Sequence, residues 1–585
     1  MELAKHRSTM APKRMLWAAG ATIAITLLVQ RIALAQGIQP NAAPFDGAQF
    51  AASEMAPGAP APVAQGPVSQ ELINSLVDRR LQEIEDAKKA AAEQKKEQGY
   101  EVGSDLSVTT SFKNGSFLFF ETPNKDFTCH LGGWMHYDNV WFTTPPAMAT
   151  TKGALAGPAQ GVASGDAIGG IGTAGNTPLQ DGMYFRRIRI FAEGTCWENG
   201  EYRLIPALEN DQYQTIGLDE FWVGAKNIPF LGSVRVGHFH GPMGLEGDMV
   251  SSSRTMTFME RSAYSESIEQ NQNFVTGILN VNNFCGDRGT WSTSLFRADL
   301  KQATGEYFGD GQAGFQARVT GLPLYEDEGR HLLHLGLSGG WRNGQNTAGY
   351  PNAVDLSARP EMRDDDPAAS SAVAVPNSND NRMIDTGEIA CNNQFLIGLE
   401  TLYIRGPFSF QAEYGFNWCD GCIGVWPTST TGTLAGFTPF AGGPQNFMFN
   451  GGYAQLAYTL TGENRAYDKR MGALARDYYG PQGPTSVAQI VRDENGCINW
   501  STGAWELAAR FGYVDLNSGA GANGIRGGEM QTFTFGLNWY LNTNLNMMID
   551  YIHDFRYDVP TGGTLATSTI PGSEDGIGCS LQFKY

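Results

Sequence analysis

The feature that most constrains this chain is an alternation of apolar and polar residues with a period of two. It is clearest at the C-terminal end, where Ile577, Cys579, Leu581, Phe583 and Tyr585 would share one face of a strand. From about residue 126 onward the pattern recurs in segments of about ten residues, separated by turn residues. We count about 16 to 18 candidate strands, which is typical of transmembrane barrels that enclose an aqueous lumen.

A soluble β-sandwich would alternate in the same way, so the period alone leaves two fold classes open. Three features favour a barrel: Trp and Tyr lie near strand ends, Tyr585 falls inside a strand, and short turns such as 198–200 alternate with long loops such as 144–180 and 343–390. Because hydrocarbon offers no partner to an open sheet edge, such a sheet must close. The sequence therefore predicts an all-β fold, a transmembrane antiparallel β-barrel over residues 126–585.

Charge and composition exclude several classes of function. The chain has 41 Lys and Arg against 60 Asp and Glu, a formal charge of −19, whereas a nucleic-acid binder needs a basic surface. Beyond the extreme N-terminus it has no apolar run of about 20 residues, the length that a membrane-spanning helix requires. The sequence shows no Ser, His and Asp residues in the order of a catalytic triad, no metal-ligand cluster and no glycine loop that would bind phosphate. We therefore expect that the protein is not an enzyme and needs no cofactor or metal.

Residues 1–35 have the composition of a secretory signal peptide. A basic start is followed by an apolar stretch over 15–29 and by Ala33-Leu34-Ala35, so we expect cleavage near Ala35. An uncleaved anchor helix is the alternative. Cleavage would remove five basic residues and one acidic residue, which changes the formal charge from −19 to −23. Export predicts the outer membrane of a Gram-negative-type bacterium, in a compartment where cysteines can pair.

Three segments separate the predicted signal peptide from the predicted barrel. Residues 36–67 are rich in Pro, Ala and Gly and should form a linker. Residues 68–98 carry apolar residues at spacings of three, four or seven, which predicts a periplasmic helix and a possible coiled coil. A lone amphipathic helix is the alternative. Residues 99–125 would connect this helix to the barrel.

Alternation along each strand also selects the side chains that should face the lumen. Because apolar neighbours occupy the lipid face, we predict that five arginines point inward, namely Arg187, Arg189, Arg235, Arg318 and Arg510. The arginine fork suits oxyanions, and fixed cations in a narrow passage concentrate anions. The alternative is that each arginine braces the wall through an ion pair, for example Arg510 with Glu506 or Arg189 with Glu193.

Cysteine and histidine residues suggest one covalent link and no metal site. Cys419 and Cys422 lie just past an apolar strand, and in an oxidising compartment they favour a disulfide, with unpaired thiols as the alternative. His130, His136 and Asp138 would share an inward face, but their spacing along a strand is too wide for easy chelation. We therefore treat these three as ordinary lumen residues.

Several segments resemble the phosphate-selective porin O and P family. They extend from about residue 183 to the C-terminus and include 186–189 (RRIR), 234–246 (VRVGHFHGPMGLE), 258–261 (FMER), 460–465 (LTGENR), 503–510 (GAWELAAR) and 537–542 (LNWYLN). The resemblance implies a 16-stranded type of barrel, a homotrimer, long loops that narrow the lumen, and a pore lined by Arg and Lys that passes phosphate or other anions. It also places Arg254 and Arg261 in the constriction segment. The chain departs from the family at His240, where members commonly carry a lysine.

We therefore expect an outer-membrane porin that forms a water-filled channel for small solutes, with anions such as phosphate as its cargo. A weakly selective or cation-preferring diffusion pore on the same fold is a second possibility, motivated by the acidic mature chain. A third is a structural or adhesive barrel that contacts the cell wall through residues 68–98. The expected partners are outer-membrane lipid, small anions and further copies of the chain, and no nucleic acid.

Overall fold

The computed structural model describes most of the chain beyond residue 100. The described ranges are 101–113, 116–143, 181–208, 217–248, 255–269, 274–297, 313–347, 350–363, 383–387, 389–425, 438–475, 490–492, 498–500, 503–519, 523–542, 544–557, 565–566 and 572–585. The predicted signal peptide, linker and helix at residues 1–98 lie outside these ranges, as does Arg254. All described residues belong to one compact unit, Gln98–Tyr585.

The described residues form strands of very different lengths. In chain order the strands are β1 (Thr109–Lys113), β2 (Ser116–Glu121), β3 (Thr128–Thr143), β4 (Gly182–Cys196), β5 (Gly200–Ala207), β6 (Gly217–Ile228), β7 (Gly232–His240), β8 (Phe274–Phe284), β9 (Gly289–Arg297), β10 (Gly314–Glu326), β11 (His331–Asn343), β12 (Gln345–Thr347), β13 (Tyr350–Val354), β14 (Ser357–Ala358), β15 (Ile384–Asp385), β16 (Ile389–Ala390), β17 (Asn393–Arg405), β18 (Phe408–Cys422), β19 (Gly424–Val425), β20 (Thr438–Pro439), β21 (Gln445–Thr459), β22 (Tyr467–Asp468), β23 (Ala473–Leu474), β24 (Ile490–Arg492), β25 (Ile498–Trp500), β26 (Ala504–Ser518), β27 (Ile525–Tyr540), β28 (Leu545–Tyr557), β29 (Leu565–Ala566) and β30 (Gly572–Lys584). Within the described ranges, the helical elements are α1 (Ala263–Ser267), a π turn (Gly244–Asp248) and a 3-10 turn (Asp327–Gly329). Among the described residues, no helix is long and apolar enough to cross a membrane.

Sixteen strands among the described residues form one closed antiparallel barrel. They are β3 to β11, β17, β18, β21, β26 to β28 and β30, each paired with the next. The ring closes where β30 pairs with β3, from Trp134 opposite Lys584 to Thr143 opposite Asp575. Closure confirms the predicted fold class, because it leaves no edge of the ring open to hydrocarbon.

Side chains alternate along the ring strands as the sequence predicts. Apolar side chains such as Ile190, Val236 and Phe535 are exposed on the outer face, whereas polar and charged side chains such as Arg318 and Glu400 are buried inside the ring. A charge on the outer face would cost about 2–4 kcal/mol at the bilayer midplane, so the arginines and carboxylates of these strands belong inside.

The described residues of the connection between β7 and β8, 241–248 and 255–269, fold into the lumen, and we call them the inward loop. Its backbone N–H groups need acceptors there, and carboxylates of the wall supply them. Glu413 accepts hydrogen bonds from the amides of Leu245 (2.5 Å) and Glu246 (3.1 Å), and Asp550 accepts one from Met259 (2.7 Å). Polar wall residues therefore hold this loop across the barrel.

Loop segments at the long-loop end pack into an apolar cluster with the strand ends. Its members include Leu356, Ile384, Ile389, Phe440, Phe449, Leu516 and Ile525. A disulfide joins Cys391 to Cys422 in this cluster, so the predicted Cys419–Cys422 disulfide is wrong. The register explains the difference, because it places Ala390 opposite Gly424 and so brings the residue before β17 beside the end of β18. Cys419 is a buried free thiol.

A second segment enters the lumen from the opposite, short-turn end. It comprises residues 460–475, which follow β21, and we call it the lumen segment. Ala473 packs against an apolar patch on the inner faces of β6 to β9 that includes Trp222 and Phe239. Leu474 packs in the same way against Leu332 and Leu402. These inner wall patches are apolar because the lumen segment covers them.

Candidate functional site

Two consecutive arginines on β4 both turn toward the lumen because the strand contains a bulge. The pairing of β3 with β4 places His136 opposite Arg187 and Tyr137 opposite Phe185, so Arg186 has no cross-strand partner in this register. An extra residue of this kind re-aims side chains that strict alternation would send outward. Arg186 thus joins Arg187 on the inner side of the wall.

Glu260 of the inward loop holds this arginine pair. Its carboxylate accepts from Nε and Nη2 of Arg186, the latter at 3.3 Å, and lies 3.6 Å from Nη2 of Arg187. Burial raises the pKa of Glu260, but the two guanidinium groups outweigh burial and hold the pKa well below its ordinary value. Glu260 is therefore ionised, and one carboxylate faces two cations.

Further arginines continue down the wall toward the short turns. Arg189 pairs with Asp219, and Arg203 lies 3.2 Å from Glu220 and 3.6 Å from Glu193. Arg235 lies 3.0 Å from Glu201 and packs its guanidinium 4.3 Å from the ring centre of Trp222. Arg187 and Thr195 are eight residues apart along β4, which corresponds to about 26 Å of wall. Thr195 lies opposite Glu201, the partner of Arg235, so the series of arginines extends over this length.

Two arginines of the loop at residues 350–363 extend the series toward the long-loop end. Arg359 Nη1 lies 2.7 Å and Arg363 Nη2 3.1 Å from the Glu266 carboxylate on α1. Burial raises the pKa of Glu266, but the two arginines outweigh burial and lower it. Tyr184, at the top of the β4 wall, donates to the Arg363 carbonyl at 2.7 Å, which links this loop to the strand. We define the arginine column as Arg186, Arg187, Arg189, Arg203, Arg235, Arg359 and Arg363.

The sequence from residue 170 to residue 583 matches the model of the family described as "Phosphate-selective porin O and P". The chain belongs to this family. The match covers well over half of the chain and confirms the resemblance found in the sequence motifs. Because members of this family are outer-membrane porins, the lumen with its arginine column is the candidate functional site.

The chain is also similar to individual proteins. The chain is 24% identical over 503 residues to Porin O of Pseudomonas aeruginosa, which is 83% of this chain and 93% of that protein. It is 25% identical over 379 residues to an uncharacterised protein of Caulobacter vibrioides, which is 63% of this chain and 62% of that one. Among solved structures, the trimer form of OmpT from Vibrio cholerae aligns with 7% identity and a TM-score of 0.40, over 78% of this porin and 99% of OmpT.

The predicted inward arginines divide into two groups in the structure. Arg187, Arg189 and Arg235 lie in the arginine column. Arg510 and Arg318 also face inward, but each is bound within the wall and the loops that fill the lumen. Their predicted role in anion binding stays a prediction.

Arg510 holds two loops to the wall. It lies 2.6 Å from Glu361 and 3.2 Å from Glu246, donates to the Glu260 carbonyl at 3.1 Å, and stacks 4.5 Å from the ring centre of Phe258. The sequence pairing of Arg510 with Glu506 is wrong, because Glu506 pairs with Arg465 at 2.6 Å. Arg189 pairs with Asp219, and Glu193 lies 3.6 Å from Arg203.

Arg318 and Arg261 have comparable bracing contacts. Arg318 lies 2.8 Å from Glu400 and donates at 2.8 Å to the Gly472 carbonyl, which fixes the lumen segment. Arg261 donates at 2.6 Å to the Glu246 carbonyl inside the inward loop. Sequence reasoning missed four arginines of the column, Arg186, Arg203, Arg359 and Arg363. Arg359 and Arg363 lie outside the strands, where alternation does not apply. Arg186 could not be predicted from alternation because of the bulge. Arg203 could have been predicted, because it alternates with Leu204, which is exposed on the outer face.

Proposed function

We propose that this porin passes small anions, phosphate among them, along the arginine column. The column supplies guanidinium groups at successive levels of one wall, so an anion that leaves one group meets the next. Arg186, Arg189 and Arg235 keep between 14% and 22% of their side chains exposed inside the ring, which leaves them accessible to a passing solute. This accessible series of cations is the observation that carries the proposal.

The charge balance of the column argues for modest anion selectivity. Seven arginines of the described residues face six carboxylates, Glu193, Glu201, Asp219, Glu220, Glu260 and Glu266, which leaves one positive charge. Paired guanidinium groups still have N–H groups to offer an oxyanion, but their field is weaker than that of free ones. We expect an anion preference well short of exclusion of cations.

The proposed channel works as a homotrimer in the outer membrane, after cleavage near Ala35. Strands on the β5 to β9 side are shorter than others in the ring, with 8 residues in β5 and 9 in β7, against 15 in β18 and β21. Contact with a neighbouring subunit would cover this low part of the wall. The remaining wall contacts lipid.

Phosphate block of the chloride current in planar bilayers tests the cargo. We expect phosphate to reduce the wild-type current, and Arg189→Gln or Arg235→Gln to weaken that block about tenfold, because each removes one charge-assisted contact. Arg405→Gln, at the exposed end of β17, is the matched control and should leave the block unchanged. Equal block in wild type and both column variants would refute the proposal.

A further inference from the structure

The Glu260 carboxylate binds the arginine pair, Arg186 and Arg187, in the way that a bound oxyanion would. Its carboxylate engages both Nε and Nη2 of Arg186, the fork by which arginine holds carboxylates and phosphates. Glu260 is 4% exposed, and among the described residues its carboxylate has no hydrogen-bond donor other than Arg186. Among the described residues, only side chains of the β4 wall hold this carboxylate, unlike those of Glu246 and Glu361, which also accept from backbone amides.

The arginine pair has a hydrogen-bond donor beside Glu260 that is not used. Nη1 of Arg187 is buried and has no hydrogen-bond partner among the described residues. The Arg186 side chain is 22% exposed, which makes it the more accessible member of the pair. Two guanidinium groups against one carboxylate leave one positive charge and at least one free donor, which a second oxyanion would satisfy.

We propose that Glu260 is a tethered counter-anion that transported oxyanions displace from Arg186 as they pass. The inference rests on the function proposed above. In the resting channel Glu260 neutralises one of the two positive charges of the pair and lowers its affinity for solutes. An arriving oxyanion takes the fork of Arg186 as Glu260 leaves it, and this departure opens the buried Nη1 of Arg187 to the same oxyanion. Glu260 keeps its remaining contact with Arg187. When the solute moves on, Glu260 returns, and its return assists release because the tether keeps its local concentration high.

The test compares phosphate block of the chloride current in Glu260→Gln and in wild type. The neutral amide is similar in shape but competes weakly, so we expect phosphate to block about tenfold more tightly and to leave more slowly. Glu326→Gln is the matched control, because it removes one carboxylate at the short-turn end whose side chain is 60% exposed. It should leave the block unchanged.

A second variant separates competition from damage to the inward loop. Glu260→Asp keeps the charge but shortens its reach, so it should also tighten the block, by less than Glu260→Gln, while the open-channel conductance stays that of wild type. Unchanged or weaker block in Glu260→Gln, with conductance intact, would overturn the inference. A wild-type reversal potential that favours potassium would instead overturn the proposed function itself.

Discussion

At the scale of single residues, the most consequential side chain of the lumen is Arg510. Its guanidinium is buried and contacts Glu246 and Glu361, which belong to two different loops. Both carboxylates lose their ionic partner if the guanidinium is removed, and an unpaired buried charge is costly. Arg510 therefore holds these two loops against the wall.

Replacing Arg510 by Met should release both loops from the wall. We expect a loss of about 3–5 kcal/mol of stability and a larger, noisier single-channel conductance. Thermal unfolding in detergent and single-channel recording measure the two effects. Arg330→Met, at an exposed turn, is the matched control. A variant with wild-type conductance and wild-type unfolding temperature would contradict this role.

The sequence predicts which residues face inward better than it predicts their partners. The alternation with a period of two correctly predicted that Arg187, Arg318 and Arg510 face inward, because the residues on the lipid-facing side must be apolar. It missed Arg186, because a one-residue bulge is invisible to an alternation rule. It mispaired Arg510 with Glu506, since loops that enter the lumen brought Glu246 and Glu361 closer. Contacts made by folded loops depend on tertiary structure and leave no local pattern.

At the scale of elements, α1 and the loop at residues 350–363 are joined by ionic contacts. Glu266 on α1 holds Arg359 and Arg363, which lower its pKa below the ordinary 4.5. A carboxylate whose pKa falls on folding contributes stability above its unfolded pKa and loses it as pH drops through the folded value. The contact should thus persist at neutral pH and weaken only below about pH 4.5.

Glu266→Gln tests this pH dependence. At pH 7 we expect the variant to unfold with about 1–3 kcal/mol less stability than wild type, because hydrogen bonds to charged groups have this magnitude. The difference should stay constant down to pH 5 and shrink in more acidic solution, where Glu266 of the wild type takes up a proton. Unfolding curves over a pH series provide the measurement. A difference that disappears already at pH 6 would contradict the assignment.

The disulfide between Cys391 and Cys422 is the covalent link between β17 and β18 at the long-loop end. It closes a loop with a sequence separation of 31 residues, for which the entropic effect on unfolding is about 3–4 kcal/mol. Peptide mapping without reductant should recover these two cysteines together. Alkylation of the native protein should label the exposed Cys285 and spare the buried Cys419. Recovery of a Cys419–Cys422 peptide would contradict the structure.

At the scale of the whole molecule, the net charge of the chain and the ion selectivity of the pore are separate properties. The chain is acidic overall, at −19, yet the arginine column carries one positive charge more than its carboxylates. Charges on outer loops and rims are screened by salt within about 8–10 Å, whereas those inside a narrow lumen are screened less. The fold class followed from the sequence, because every strand repeats the same simple pattern.

The reversal potential of the wild-type protein in a planar bilayer, under a KCl gradient, tests the central claim most directly. We predict a modest preference for chloride over potassium, which replacement of Arg186, Arg187 and Arg189 together by Gln turns toward potassium. The triple variant removes the two arginines that contact Glu260 and one that contacts Asp219, so the net charge of the column changes sign. A wild-type preference for potassium would contradict the claim that the arginine column carries anions.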